Sequence, residues 1–185
     1  GTLSSTHENP REATRYAIDT AKQAGALISF DPNLREPLWN DLNDARHEIE
    51  YGLSKCDILK ISDNELEFVT GVSDYDKAIK KLRDNFNIPL IFLTLGKDGS
   101  RAYYKDITVE KSTYSNIKPI EKTGAGDTFE GCALNFVLEY GIDGLNEKTI
   151  SELLSFANAG ASLITARKGA LKVMPSKEEI ERLMT

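Results

Sequence analysis

Ile88-Pro89-Leu90-Ile91-Phe92-Leu93-Thr94-Leu95 is the stretch on which the fold turns. A nearly continuous apolar run of this length reads as a buried strand, and a strand buried on both faces belongs to a parallel sheet covered by helices. Upstream, residues 57–61 and 26–30 repeat the strand signal, the second ending in the turn Asp31-Pro32-Asn33. Helical patterns at about 42–53, 64–70 and 75–86 separate these runs. Further back, Asn9 followed by Pro10 predicts an N-cap with Pro at the first helical position. Ala13, Tyr16, Ala17, Ile18 and Ala21 then form an apolar stripe that stops at Gly25. This alternation predicts an α/β fold with a mostly parallel sheet flanked by helices.

Downstream the pattern changes. Residues 101–105 and 107–114, parted by Lys105-Asp106, predict a hairpin whose antiparallel strands finish the sheet edge. Helices are predicted over 125–140, 147–165 and 176–184, the last opening on Pro175-Ser176 with Glu178-Glu179 behind it. There is no internal repeat or linker, so residues 1–185 read as a single domain. The opening Gly1-Thr2-Leu3-Ser4-Ser5 reads as the end of a buried strand entering a loop. With no initiator Met, the chain is expected to be a fragment.

The 185 residues are 40% hydrophobic and 28% charged, enough apolar material for one sizeable core. A net charge of -6 argues against a nucleic-acid partner, which calls for a basic face. Cys56 and Cys132 are too few for a disulfide framework or a zinc site, and their apolar neighbours suit reduced thiols. No signal peptide and no run of 18 apolar residues is present, so a cytoplasmic protein without membrane contact is expected. His7 and His47 have no partner pattern and read as surface residues.

Thr123-Gly124-Ala125-Gly126-Asp127 leads into a helix whose apolar stripe is Phe129, Cys132, Ala133, Phe136, Val137 and Tyr140. The first-turn N–H groups of a helix lack internal partners and the dipole is positive there, so a glycine turn at that end can hold a phosphoryl group closely. Asp127 is placed to orient or deprotonate an attacking hydroxyl. The same residues also suit an ordinary tight turn with an acidic residue at a helix start. The run is neither a Walker A loop nor a dinucleotide fingerprint, whose spacings differ.

Glu121-Lys122-Thr123-Gly124-Ala125-Gly126-Asp127-Thr128-Phe129 resembles the C-terminal signature of ribokinase-type (PfkB family) sugar kinases. Thr94-Leu95-Gly96-Lys97-Asp98-Gly99 resembles the family's strand-to-loop segment beside the nucleotide. Phe156-Ala157-Asn158-Ala159-Gly160-Ala161 resembles the helix lining its adenine pocket, and Lys168-Gly169-Ala170 with Pro175 its end segment. The resemblance spans essentially the whole chain. It implies a ribokinase-like fold whose N-terminal part and small lid precede Gly1, with a homodimer formed through that lid.

By this resemblance Asp127 is the catalytic base, and Gly124, Ala125 and Gly126 form the anion hole. Thr94, Gly96, Gly99, Asn158 and Ala161 contact ATP. The plainer alternatives are a simple turn for Gly96 and Gly99, a small polar residue on an apolar helix for Asn158, and close helix packing for Ala157, Gly160 and Ala161. In Lys60-Ile61-Ser62-Asp63-Asn64-Glu65 the family carries an Asn-x-x-Glu motif linked to magnesium. Glu65 matches its acidic member while Ser62 replaces the Asn. Glu65 is therefore expected at Mg2+, against the alternative of an exposed helix carboxylate. Glu121 stands where the family's usual Asp helps form a monovalent-cation site, so the resemblance does not extend to potassium activation.

Asp31-Pro32-Asn33-Leu34-Arg35-Glu36-Pro37-Leu38-Trp39 resembles the segment found in bacterial fructokinases and, in variant form, in 2-keto-3-deoxygluconate kinases. Arg35 offers a planar fork for phosphate or carboxylate, or else an ion pair with Glu36 or Asp41, and Asn33 offers a donor and an acceptor to a hydroxyl. Trp39 offers a ring to stack on a ligand, but Leu38 and Trp39 are expected instead to anchor the loop to the core. Lys60-Ile61-Ser62 favours the fructokinase branch. The expected activity is ATP-dependent phosphorylation of a sugar primary hydroxyl, fructose to fructose 6-phosphate. A 2-keto-3-deoxygluconate kinase and a non-catalytic nucleotide-binding module are the alternatives.

Overall fold

The computed structural model describes Thr2 and residues 5–185; of the expected strand-to-loop opening, Gly1, Leu3 and Ser4 lie outside the described residues. The chain divides into two compact units, Gly1–Leu93 and Thr94–Thr185.

The first unit alternates helix and strand: α1 (Glu8–Gln23), β1 (Ser29–Phe30), α2 (Leu42–Lys55), β2 (Ile58–Ser62), α3 (Asp63–Thr70), α4 (Tyr75–Asn85) and β3 (Leu90–Thr94). β1 and β2 pair in parallel, Ser29 opposite Ile58 and Phe30 opposite Leu59. β3 is the apolar run quoted at the outset, and Leu90, Ile91, Phe92 and Leu93 are fully buried. α1 starts at Glu8, earlier than Asn9-Pro10 predicts. Pro10 still falls in the first turn, where its missing N–H costs nothing. Only part of the predicted stripe of α1 faces inward, Ile18 and Ala21 being half-buried. Ala13, Tyr16 and Ala17 are exposed, and the inward face carries Arg11, Thr14, Arg15 and Ile18. The arginines turn inward because Glu48 of α2 binds both, at 3.3 Å to Arg11 and 2.9 Å to Arg15. β1 is shorter than residues 26–30 because the Ile28 carbonyl accepts from both Asp57 and Ile58 N–H, and Ile28 N–H donates to the Asp57 carboxylate at 2.7 Å. Those bonds take the place of a regular ladder.

The second unit opens on the hairpin of β4 (Ser100–Tyr104) and β5 (Ile107–Lys111), antiparallel as predicted, with Lys105 at φ 50 making the reversal. α5 (Ala125–Tyr140), α6 (Glu147–Thr165) and α7 (Lys177–Met184) follow. α6 is the unit's core: Ile150, Leu153, Leu154, Ala157, Ala159 and Ile164 are fully buried. A helix apolar on nearly every side must be covered nearly all round. α5, α7 and the hairpin supply that cover. Gly160 shows how tight the cover is, since a Cβ there would lie 3.0 Å from Cys132 Sγ and 3.2 Å from Ile180 Cδ1. Close packing is thus the role of Gly160 and of buried Ala157, while Ala161 is half-buried. No helix among the described residues is long and apolar enough to cross a membrane.

Cys56 and Cys132 are free, and burial pushes their thiols up to about 12 and about 11. Thiolate is the reactive form, so at pH 8, well below both values, iodoacetamide should leave the two cysteines unmodified in the folded chain and label both after urea unfolding. Intact-mass spectrometry over a reaction time course reads this, and rapid labelling of the folded chain contradicts it. Gly99 has φ 108, and a Cβ there would collide with the Lys111 carbonyl and lie 2.8 Å from Ser112 Cα. Gly99→Ala should lower unfolding free energy in urea by about 2 kcal/mol or more, because backbone strain and a backbone clash act together.

Candidate active site

In the second unit the glycine turn becomes a helix N-terminus with open donors. Gly124 is the N-cap of α5 at φ 80, a left-handed conformation that a side chain resists, and a Cβ there would crowd Ile164 Cδ1 at 3.2 Å. Ala125 N–H donates to Lys122 O and Thr128 N–H to Gly124 O. Between them, the N–H groups of Gly126 and Asp127 have no acceptor among the described residues. The Asp127 side chain is exposed in the same turn and makes no hydrogen bond or ion pair among the described residues. Two free amides, the positive end of a 16-residue helix and an unencumbered carboxylate therefore share one turn. Buried Thr128 follows, its Oγ1 without a partner.

The approach to this turn is held by the other end of α6. Ile120 and Glu121 N–H both donate to Thr165 O, at 2.7 and 3.0 Å, and Gly169 N–H donates to the Glu121 carboxylate at 3.2 Å. Helix-end carbonyls need outside donors, and here the signature segment supplies them. That clip was not legible in the sequence, because its partners are some 45 residues apart and neither side is a motif for the other.

The nucleotide-binding candidates separate by environment. Gly96 (φ 56) is exposed in the short 3-10 turn Gly96–Asp98. Gly99 is buried against β5, its carbonyl accepting from Leu95 N–H at 2.8 Å, so its conformation is required by the turn itself. Thr94 is half-buried. Asn158 is not an open amide. It is 4% exposed, donates to the carbonyls of Lys111 and Ser112, and accepts from Ser100 Oγ at 2.9 Å. Its polarity is spent in locking α6 to both strands of the hairpin.

In the first unit, Asp31, Asn33, Arg35, Lys60, Ser62 and Glu65 come together. Asn33 adopts φ 46, with its N–H on Asp31 Oδ1 at 3.0 Å and its carbonyl accepting from Thr2 Oγ1 at 3.0 Å. Its side-chain amide has no partner among the described residues. Arg35 is exposed and, among the described residues, its guanidinium bonds only the Leu34 carbonyl, with no ion pair to Glu36 or Asp41. Leu38 is 51% exposed and does not anchor the loop; half-buried Trp39 does so partly, through Nε1 on Thr2 Oγ1 at 3.4 Å. Lys60 pairs with Asp31 at 3.0 Å, both side chains nearly buried. Burial pushes the Asp31 carboxyl up while Lys60 pulls it down, and burial prevails. The one sequence signal for this pair is a lysine inside an apolar strand, which requires a buried partner. Glu65 is 8% exposed, not a free surface carboxylate. Its Oε2 accepts from Ser62 N–H and Oγ and its Oε1 from Leu34 N–H at 2.7 Å.

The α/β element order, with α5 capped by Gly124, matches the ribokinase-like fold of solved fructokinase structures. The chain belongs to the PfkB family of carbohydrate kinases, whose model matches residues 3–177. It is 39% identical over 176 residues to a probable fructokinase-2 of Arabidopsis thaliana, covering 95% of this chain and 53% of that protein. Among solved structures it resembles a double mutant of Vibrio cholerae O395 fructokinase in a fructose-, ADP- and potassium-bound form, with TM-score 0.90, 30% identity, and coverage of 100% and 58%. A Xylella fastidiosa fructokinase with bound ATP gives TM-score 0.87 at 28% identity, covering 98% and 58%. The chain spans about half the length of the curated relatives it matches.

Asn158→Ala should lower unfolding free energy by roughly 2–3 kcal/mol, because it leaves the Lys111 and Ser112 carbonyls and the Ser100 hydroxyl without their partner in a buried place. Urea denaturation measures it; a loss under about 0.5 kcal/mol would show that the clamp carries no weight.

Proposed function

We propose that this chain is the nucleotide-binding and catalytic portion of an ATP-dependent sugar kinase that transfers the γ-phosphoryl group to a primary hydroxyl, converting fructose to fructose 6-phosphate. The observation that carries the reading is the first turn of α5, where the unpartnered Gly126 and Asp127 amides adjoin the exposed Asp127 carboxylate. The names of the relatives, fructokinases among proteins and structures alike, support the acceptor. Two cysteines, both free, suit a reducing cytoplasm.

In this reading the acceptor hydroxyl gives its proton to the Asp127 carboxylate as its oxygen bonds to the γ-phosphorus. The bond from that phosphorus to the oxygen bridging to the β-phosphate breaks, and ADP leaves with the electron pair. The Gly126 and Asp127 N–H groups, with the dipole of α5, offset charge on the phosphoryl oxygens in flight. Gly124 matters by conformation, since its left-handed φ opens the turn. Gly96 and Thr94 are placed beside the nucleotide, and half-buried Ala161 lines its pocket; Asn158 acts one step removed, holding the pocket's strands and helix. Asn33 and Arg35, with side chains free of protein partners other than the Leu34 carbonyl, hold the acceptor. A magnesium ion bound with the nucleotide would neutralise phosphate charge, and Glu65 is the residue that the family resemblance assigns to it. The Glu121 carboxylate is engaged by Gly169, which does not favour a potassium requirement.

Asp127→Asn in the complete protein should lower kcat with fructose by about a hundred-fold or more while KM stays within a few-fold, since the amide keeps the shape and cannot take the proton. Coupled ADP-release kinetics measure it. A loss of only a few-fold removes Asp127 as the base, and faster turnover of 2-keto-3-deoxygluconate than of fructose reassigns the acceptor.

A further inference from the structure

The family resemblance attaches Glu65 to magnesium, and the geometry around Glu65 disagrees. A carboxylate offers two lone pairs on each oxygen. Here Oε2 accepts from Ser62 N–H at 2.9 Å and Ser62 Oγ at 2.7 Å, and Oε1 accepts from Leu34 N–H at 2.7 Å. Three of the four positions are taken, and the side chain is 8% exposed. Magnesium demands near-octahedral coordination at about 2.0–2.1 Å and gives up its water reluctantly, so a ligand already committed to three N–H and O–H donors is a poor partner. The neighbouring buried carboxylate, Asp31, already has its cation in Lys60 at 3.0 Å.

The same bonds show what Glu65 does. Three successive amides of the acceptor loop are each held by a different side chain: Asn33 N–H by Asp31, Leu34 N–H by Glu65 and Arg35 N–H by Thr2. Asp31 is fixed in turn by Lys60 of β2, and Glu65 by Ser62 at the start of α3. These anchors impose the left-handed φ 46 on Asn33, a conformation that a non-glycine residue holds only when its surroundings over-determine it. The Asn33 amide is left unpartnered and the Arg35 guanidinium bonds only its neighbouring carbonyl.

We propose that Glu65, locked by Ser62, is a positioning residue that clamps the Asn33–Arg35 acceptor loop through Leu34 N–H, and is not a direct ligand of magnesium. The lock is reciprocal, because the Ser62 hydroxyl both donates to the Glu65 carboxylate and receives the Glu65 N–H. The inference rests on the reading above insofar as Asn33 and Arg35 hold the acceptor.

Glu65→Gln tests it, since the amide keeps the shape but presents one acceptor oxygen where two are needed. Hydrogen exchange on the complete protein, free of metal and nucleotide, should be faster in a peptide covering residues 31–38. Steady-state kinetics should show the KM for fructose raised about ten-fold and the apparent magnesium constant changed less than about two-fold. Unchanged exchange over 31–38 overturns the proposal, as does a magnesium constant that rises more than the fructose KM. Should Glu65→Gln fail to fold by thermal melt, Ser62→Ala carries the same comparison, removing one donor and leaving the carboxylate. If the unaltered protein phosphorylates no sugar, the function reading falls while the exchange comparison still decides the clamp.

Discussion

A helix begins with backbone N–H groups that nothing inside the helix can satisfy, and the two halves of this chain are organised by how that constraint is met. At α2, α3, α4, α6 and α7 a side chain closes the end: Asp41, Ser62, Asp74, Asn146 and Ser176 each accept from an amide of the first turn. At α5 the cap is Gly124, which has no side chain to offer, and the amides of Gly126 and Asp127 stay open. Glycine in place of a capping side chain sacrifices only about a few tenths of a kcal/mol of capping stability. In exchange the fold keeps donors for an anion, and the reading of the α5 turn as a phosphoryl site depends on that vacancy.

Keeping such an end open requires that the rest of α5 be held by other means. Its inner face packs on α6, where Phe136 lies 5.7 Å from Phe156 and Gly160 admits Cys132 at close range. The segment entering α5 is tied to the C-terminal end of α6 through Thr165 and Gly169. α6 is in turn fastened to the hairpin by Asn158. The turn is thus held by contacts made along the helix and behind it, while the Gly126 and Asp127 N–H groups remain uncommitted among the described residues.

The first unit solves a related problem in the opposite way. There the amides of Asn33, Leu34 and Arg35 in the loop, and of Ser62 and Glu65 at the start of α3, are satisfied by carboxylates and hydroxyls. Buried carboxylates are tolerated when paired or hydrogen-bonded, and Asp31 and Glu65 are both. What that arrangement leaves unsatisfied is the side chains of Asn33 and Arg35 rather than the backbone.

Much of this was legible in the chain itself. The apolar run at residues 88–95 announced a buried strand, and the bounds of α5 and α6 could be read from glycines and apolar spacing, because these signals are local and span only a few residues. The Gly-Ala-Gly-Asp turn was legible for the same reason. The inward face of α1 was misread in part, since two arginines become inward residues only when Glu48 of another helix meets them. Asn158 and Glu65 looked like ligand-facing groups and are committed to partners 30 to 60 residues away. Sequence determined which segments are helices and strands and which residues are chemically able to act at α5. Tertiary structure alone decided which polar groups remain unpaired, because a hydrogen bond between distant residues leaves no periodicity along the chain.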